Sequence, residues 1–471
     1  MKTTSKRAAV IYALVIFFVL GLAFYCGSLV KNANAWAMQP INEHLFVGGE
    51  LKNAGTIYDA NGTPLVETRD GERVYNSDRT IRRATLHLLG DTAGIIASGL
   101  QTTYKDELVG YNFVNGVYSM DGSSTGNDIH LTIDADLCAT ALRALDGRKG
   151  TVGVYNYKTG EVLCMVSSPT YDPEDKPDDI DSDTTGKYDG IYLNRFLNGV
   201  YTPGSTFKLV TAAAALEYIP DIESQTFTCT GEYETSGGTI ICNARSGHGT
   251  QTFEEALNNS CNVAFAQIGI QVGAEDMNAE AAKLGFKTNT ANPDALKMDR
   301  MTIAQSTFDV SNATNADLGW ASIGQYSDLV NPYHELLLMG AIANGGTPVL
   351  PYVVAGVETP AGLMTQRGEA ENGKAYFSGT IADKLSDLMR SNVINSYGDG
   401  NFDGMELCAK TGTAEVGGDK EDHAWFVGFS RNEETPLAFV VVVENGGSGR
   451  GVALPVARTV MEAACDIVRS R

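Results

Sequence analysis

The stretch TVGVYNYKTGEVLCMVS, residues 151–167, contains two mainly apolar runs typical of strands on either side of a Lys-Thr-Gly turn. Such runs favour strands, and a short turn with glycine joins antiparallel neighbours, so the stretch predicts a hairpin. Two similar runs follow at residues 424–429 and 437–443, while residues 206–217 and 457–468 have helical character. Strands, then helices, then strands and a helix predict an α+β fold with one antiparallel sheet.

The composition excludes two broad classes. The chain has 471 residues, of which 43% are hydrophobic and 20% are charged, so it can bury a sizeable core and is not a disordered chain. Lys and Arg number 35 against 57 Asp and Glu, which gives a net charge of −22. A protein this acidic repels phosphate backbones, so nucleic acid is not an expected partner.

The N-terminus carries an uncharged, apolar run over residues 8–30. A helix of that length reaches ~34 Å, enough to cross a bilayer. Lys2, Lys6 and Arg7 precede it, which favours a cytoplasmic tail over residues 1–7 and places the rest of the chain outside the membrane. A cleaved signal peptide is the alternative, since residues 33–35 fit a small-x-small cleavage pattern, but the run exceeds the usual ~7–15 residues.

The exterior part divides into two regions. Residues 31–127 are polar and rich in turns, and residues 55–62 predict a strand that ends in an Asn-Gly turn. No long amphipathic helix is expected here, so this region is interpreted as a spacer or docking module. From residue 128 onward the sequence pattern changes, because apolar residues after Asp134 recur at helical spacing. A helix is therefore predicted there, with Asp134 as a candidate cap.

The eight cysteines form no C-x-x-C pair and do not have zinc-site spacing with histidine. Cys229 and Cys242 flank a Gly-rich turn, and the sequence allows either a disulfide or two reduced thiols there. His248, in a Gly-rich turn, is expected to have a surface or packing role. The acidic segment 172–183 is expected to be solvated surface.

Three short motifs occur in order: S-x-x-K at residues 205–208, S-x-N at 260–262 and K-T-G-T at 410–413. This trio is the signature of penicillin-interacting serine enzymes. Each motif has a second copy, at residues 28–31, 430–432 and 158–160, so each alone is weak. Only the first set has the motif order and the flanking sequence that the signature requires.

The residue types suit acyl transfer. Ser205 follows Pro203 and Gly204, so it should open a helix, with Lys208 three residues later on the same face. A desolvated, neutral lysine can serve as the base that activates a serine hydroxyl. Ser260 can relay a proton to a leaving amine, and Asn262 can hold a substrate amide.

The K-T-G-T segment is expected to form a strand. Lys410 is assigned to the catalytic group, and the Thr411 and Thr413 hydroxyls can bind a carboxylate. Gly412 lets a substrate backbone approach closely. The N–H groups of Ser205 and Thr413 can form an oxyanion hole.

With these motifs, the chain resembles class B penicillin-binding proteins over nearly its whole length. The resemblance extends to the flanks of the nucleophile at residues 194–208, the first hairpin at 158–169 and the opening strand at 55–59. It also includes residues 341–346 and 423–429. Two departures are Ala54, where the family usually has arginine, and Tyr326, where it usually has glycine.

The resemblance implies a β-lactamase/transpeptidase-like domain over residues 128–471, with a central antiparallel sheet flanked by helices. It implies a D,D-transpeptidase in which Ser205 attacks the penultimate D-Ala of a peptidoglycan stem peptide, and which β-lactams acylate. It implies no metal and no organic cofactor. The implied partner is a polytopic glycosyltransferase of the shape, elongation, division and sporulation family.

Four alternatives compete with a transpeptidase. A β-lactam sensor would carry several membrane spans or a cytoplasmic protease, which the seven residues expected on the cytoplasmic side do not supply. A D,D-carboxypeptidase would give the acyl group to water, and a non-catalytic scaffold would only bind partners. A class A β-lactamase would need a glutamate in an E-x-x-L-N context, which does not occur between residues 262 and 410. The sequence leaves open which growth process is served and which amine is the acceptor.

Overall fold

The computed structural model describes residues 2–37, 46–47, 50–51, 54–112, 116–117 and 126–471. Parts of the expected spacer module, and Met1 of the expected cytoplasmic tail, therefore lie outside the described residues.

The N-terminal helix is continuous over Lys2–Ala37 and extends past both limits of the predicted span. The segment Lys6–Ala33 has a mean hydropathy of 2.6 and is long and apolar enough to cross a membrane. Its large apolar side chains, among them Phe17 and Phe24, are exposed rather than packed on the rest of the protein. This exposure is what a lipid-facing helix requires and what a core helix does not show.

A five-stranded sheet forms the centre of the protein, in the order Val162–Ser168, Gly150–Asn156, Leu437–Val443, His423–Ser430, Leu407–Ala414. All neighbours are antiparallel, which confirms the predicted hairpin, the two later strands and the central antiparallel sheet. Every residue of Leu437–Val443 is buried, so both faces of the sheet are covered. The covering helices are Ala135–Leu145, Pro332–Ala343, Gly379–Asn392 and Leu454–Ser470.

A second sheet of six strands crosses the predicted boundary at residue 127. Its order is Met364–Arg367, Val354–Glu358, Asp128–Leu131, Ile57–Tyr58, Pro64–Arg69, Glu72–Tyr75. Ile57–Tyr58 pairs parallel with Asp128–Leu131 and antiparallel with Pro64–Arg69 across the predicted Asn-Gly turn. The sequence predicts only one sheet, because strands this short carry little periodic signal.

An amphipathic helix, Arg79–Leu89, is present in the region where no long one is expected. Asp78 caps it by accepting hydrogen bonds from the backbone N–H groups of Thr80 and Ile81. Arg82 of this helix pairs with the carboxylate of Asp172 at 2.5 Å. Asp172 is buried, so the interpretation of 172–183 as solvated surface is wrong at its first residue.

The predicted helix after the Asp134 cap is confirmed as Ala135–Leu145, with Asp134 accepting from the Leu137 N–H. The other helices are Leu100–Thr103, Lys105–Leu108, Arg195–Asn198, Lys208–Tyr218, Phe253–Asn258, Asn262–Val272, Ala274–Lys283 and Asn315–Ala321. Short 3₁₀ turns cover Gly204–Thr206, Ile222–Ser224 and Asp399–Asn401, and π-helical turns cover Val393–Tyr397 and Gly449–Ala453. The remaining strands pair as Phe46–Val47 with Glu50–Leu51, Tyr111–Asn112 with Gly116–Val117, Thr226–Cys229 with Gly249–Thr252, Glu232–Thr235 with Gly238–Ile241, and Lys297–Met298 with Met301–Thr302.

Candidate active site

Ser205 lies in the 3₁₀ turn Gly204–Thr206, immediately before the helix Lys208–Tyr218. Gly204 has φ +56°, and a Cβ there would lie 2.4 Å from the carbonyl oxygen of Thr413. Only glycine fits this conformation and this approach without strain. The turn that carries Ser205 is therefore held directly against the strand Leu407–Ala414.

Lys208 is completely buried, and its terminal nitrogen points toward Ser205. Its Nζ lies 2.9 Å from Ser205 Oγ, 2.8 Å from the Ser260 carbonyl oxygen and 2.8 Å from Asn262 Oδ1. The last two groups can only accept hydrogen bonds, so they take the two N–H groups of a neutral amine. The lone pair of that amine then faces the Ser205 hydroxyl, which is the arrangement that a general base needs.

The electrostatics favour this neutral form. Burial, and secondly the positive charge of Lys410, lower the pKa of Lys208 well below its usual value of 10.5. Burial also lowers the pKa of Lys410, to about 7. Two buried lysines in one site cannot both be charged at neutral pH without a large cost in solvation and repulsion.

Ser260 stands between the two lysines. Its Oγ lies 3.3 Å from Lys208 Nζ and 2.9 Å from Lys410 Nζ. Its φ of +49° is in the left-handed region, which is costly for a residue with a side chain. The helices Phe253–Asn258 and Asn262–Val272 hold it there, and strained backbone of this kind is common at functional sites.

Asn262 is tied to the site at both ends of its amide. Its Oδ1 accepts from Lys208, and its Nδ2 donates to the Ile241 carbonyl at 3.1 Å. Nδ2 carries a second hydrogen, which can point toward a substrate carbonyl.

The K-T-G-T strand, Leu407–Ala414, forms an edge of the central sheet beside Ser205. Lys410 Nζ donates to Ser260 Oγ and to the Thr411 carbonyl at 3.0 Å. Thr411 and Thr413 are partly exposed on this edge. An edge strand can pair with an extended peptide, so substrate can add to the sheet here.

Gly412 is required by contacts within the chain. A Cβ at this position would lie 2.7 Å from the Pro203 carbonyl oxygen and 3.0 Å from the side chains of Thr206 and Trp425. The absence of a side chain therefore lets the Ser205 turn pack on the strand. The expectation that Gly412 also lets a substrate backbone approach closely stays a prediction.

Tyr397 and Gly449 are site residues that the motifs do not indicate. The Tyr397 hydroxyl accepts from the Thr411 N–H at 2.9 Å and lies 2.9 Å from Thr411 Oγ1, while Asn392 donates to it at 2.9 Å. The Gly449 N–H donates to Thr413 Oγ1 at 3.2 Å. Tyr397 and Gly449 both belong to π-helical turns, which often mark functional positions.

We expect the rate of acylation of Ser205 by penicillin to rise with pH and to level off well below pH 10.5. The base must be uncharged, and burial lowers the pKa of Lys208, so the amine becomes uncharged at a lower pH than an ordinary lysine does, and acid slows the reaction by protonating it. The test is the second-order acylation rate from about pH 5 to about pH 10, with circular dichroism as the control for folding. A rate that keeps climbing up to the end of this range would contradict the assignment of a lowered pKa.

The fold and the two-lysine, two-serine network define a serine acyl-transfer enzyme of the penicillin-interacting class, and comparisons with known proteins agree. Residues 150–462 match the family described as the penicillin binding protein transpeptidase domain. A relative from Mycolicibacterium smegmatis named peptidoglycan D,D-transpeptidase PbpA is 29% identical, with 98% of this chain and 99% of the relative covered. The PbpA of Mycobacterium tuberculosis is 31% identical over 67% of each chain.

Solved structures of penicillin-binding proteins and transpeptidase domains also match this chain. The ceftriaxone acyl-enzyme complex of penicillin-binding protein A from M. tuberculosis matches with a TM-score of 0.75 and 26% identity, over 87% of this chain and 98% of that one. The D,D-transpeptidase domain of a peptidoglycan glycosyltransferase from Eggerthella lenta matches with a TM-score of 0.76 and 27% identity, over 88% and 98%. The chain belongs to the penicillin-binding protein transpeptidase family, as a class B member.

Proposed function

We propose that this protein is a peptidoglycan D,D-transpeptidase that works through an acyl-enzyme on Ser205. The observation that carries the proposal is the environment of Lys208, a buried amine that lies between two carbonyl oxygens and 2.9 Å from Ser205 Oγ. The names of the relatives and the acyl-enzyme complex of a structural neighbour support the same chemistry.

In the acylation step, Ser205 Oγ attacks the penultimate D-Ala carbonyl of a stem peptide while its proton passes to Lys208. The N–H groups of Ser205 and Thr413 are assigned to the developing oxyanion. Ser260, which contacts both lysines, gives its proton to the leaving amine and takes the proton from Lys208 in exchange, so Lys208 is neutral again when the terminal D-Ala departs.

In the second step, an amine from a neighbouring stem peptide attacks the acyl carbonyl. Lys208 takes a proton from this amine, the ester bond to Ser205 breaks, and the serine oxygen is reprotonated. The net result is one peptide bond broken and another formed, which is why no outside energy source is needed. In the first step, before the terminal D-Ala departs, its carboxylate is assigned to the Thr411 and Thr413 hydroxyls, with Lys410 behind them. This negative charge favours the charged form of Lys410.

The N-terminal helix is assigned as a single membrane anchor, with the catalytic domain on the extracytoplasmic side. Lys2, Lys6 and Arg7 at its start support this orientation by the positive-inside rule. A polytopic glycosyltransferase that supplies the glycan strands is the proposed partner, because cross-linking needs newly polymerised chains.

The deciding experiment incubates the detergent-solubilised protein with a donor stem peptide and an acceptor stem peptide, and identifies the products by mass. A cross-linked dimer is the expected product. A donor that is only shortened by one D-Ala would establish a carboxypeptidase instead.

The penicillin adduct is expected to last at least many minutes, because the K-T-G, S-x-N and S-x-x-K groups supply no second base aimed at water. Each ~1.4 kcal/mol of missing assistance slows hydrolysis tenfold. Intact-protein mass after removal of excess drug measures the lifetime. Loss of the adduct within seconds, with steady cephalosporin turnover, would establish a β-lactamase.

A further inference from the structure

Three cysteines and one histidine lie close together at the S-x-N motif, whose middle residue, Cys261, is one of them. The sulfur atoms of Cys229, Cys242 and Cys261 and a ring nitrogen of His248 all lie within 4.8 Å of one another. The three cysteines are buried and His248 is partly buried. None of the eight cysteines is in a disulfide, so these sulfurs are available as ligands.

The four residues come from four separate segments. Cys229 ends the strand Thr226–Cys229, and Cys242 directly follows the strand Gly238–Ile241. His248 directly precedes the strand Gly249–Thr252, and Cys261 caps the helix Asn262–Val272. The turns between them are tight, since a Cβ on Gly247 would lie 2.3 Å from the Cys229 carbonyl oxygen.

The distances fit tetrahedral coordination. With Zn–S bonds of about 2.3 Å and a Zn–N bond of about 2.0 Å, neighbouring ligand atoms in a tetrahedron lie about 3.5–3.8 Å apart. Cys242 Sγ lies 3.9 Å from Cys261 Sγ and 3.6 Å from His248 Nδ1. A disulfide would need the two sulfurs at about 2.05 Å, so these distances correspond to ligands of one ion and not to a covalent bond.

We propose that Cys229, Cys242, His248 and Cys261 bind one zinc ion, which fixes the position of the S-x-N segment. Three thiolates and one imidazole are a common donor set of closed, structural zinc sites. The expectation of no metal followed from the family resemblance and from the spacing of the cysteines, neither of which shows that these segments meet.

The position of Cys261 connects the site to catalysis. It lies between Ser260, which contacts both lysines, and Asn262, which contacts Lys208. Ile241, next to Cys242, accepts the hydrogen bond from Asn262. The zinc site thus holds Cys261, the chain neighbour of Asn262, and Cys242, the chain neighbour of its hydrogen-bond partner Ile241. In this way it positions the Ser260 carbonyl and the Asn262 amide that bind Lys208, and it does not itself contact substrate.

The test is elemental analysis of the full chain, purified in detergent without a histidine tag and without added metal. We expect about one zinc per chain, and we expect both Cys242→Ser and His248→Gln to lose it. His248 is partly exposed in a turn, so its variant should fold even if the cysteine variant does not. Cys465→Ser, a buried cysteine in the C-terminal helix, is the matched control and should keep its zinc.

Two further measurements complete the test. Cobalt(II) in place of zinc should give intense thiolate-to-metal absorption, which Cys242→Ser should lack. Removal of zinc with a chelator should slow acylation by penicillin at least roughly tenfold, and added zinc should restore it.

The site would be overturned by a metal-free protein with its thiols reduced, by a disulfide among the three cysteines, or by zinc that persists in both ligand variants. Unchanged acylation by the folded, metal-free protein would overturn the positioning role. Zinc content is measured without substrate, so its outcome is independent of whether the protein is a transpeptidase.

Discussion

Ser205→Ala should lose all covalent labelling by penicillin, a fall in acylation on the order of 10⁶-fold. The hydroxyl is the group that lies 2.9 Å from Lys208 Nζ, and alanine has nothing that can form the acyl bond. The protein should still fold, because the substitution removes about one hydrogen bond, worth roughly 1 kcal/mol. Intact-protein mass after exposure to penicillin is the measurement.

Ser28→Ala is the matched control, since Ser28 is the serine of the second S-x-x-K copy, in the N-terminal helix. It should be labelled at the normal rate. A stable adduct on Ser205→Ala, or loss of labelling in Ser28→Ala, would remove Ser205 from the role of nucleophile.

Lys208→Ala should slow acylation at neutral pH by about 10²–10⁴-fold or more, since general-base assistance is worth about that much. The variant also leaves the Ser260 carbonyl and Asn262 Oδ1 without their donor. Lys208→Met is the companion variant, because it fills the same space without an amine. A similar loss in both would show that proton acceptance, not packing, is what Lys208 supplies.

Stopped-flow labelling with a fluorescent penicillin measures these rates, and Lys187→Ala, a change of an exposed lysine, serves as the control. If folded Lys208→Met were acylated at a near-normal rate, another base would be acting. Lys410 would then be the next residue to test, because burial lowers its pKa to about 7.

The sequence predicts those parts of the fold that depend on a continuous pattern within one segment or on residues close together in the chain. The two strands of the hairpin at residues 151–167 and the strand Leu437–Val443 are mainly apolar runs that include several valines, so their pattern can be recognised without tertiary context. Ser205 and Lys208 are three residues apart, so the geometry of the turn that precedes the helix already places them together.

The parts that it does not predict depend on contacts between distant, short segments. The six-stranded sheet contains Ile57–Tyr58, which is too short for any periodicity. Tyr397 joins the site only because a π-helical turn aims its hydroxyl at Thr411, and no motif encodes such a turn. Cys229 and Cys261 meet across 32 positions of sequence, through loops whose path is set by packing.

The six-stranded sheet has a practical consequence for dissecting the protein. Asp128–Leu131 is flanked by Val354–Glu358 on one side and by Ile57–Tyr58 on the other. A fragment that starts at residue 128 would leave one side of this strand unpaired, and bare strand edges promote association between molecules. We therefore expect a fragment that starts at residue 128 to associate, and we expect a soluble, monomeric form to need a cut between the N-terminal helix and residue 54.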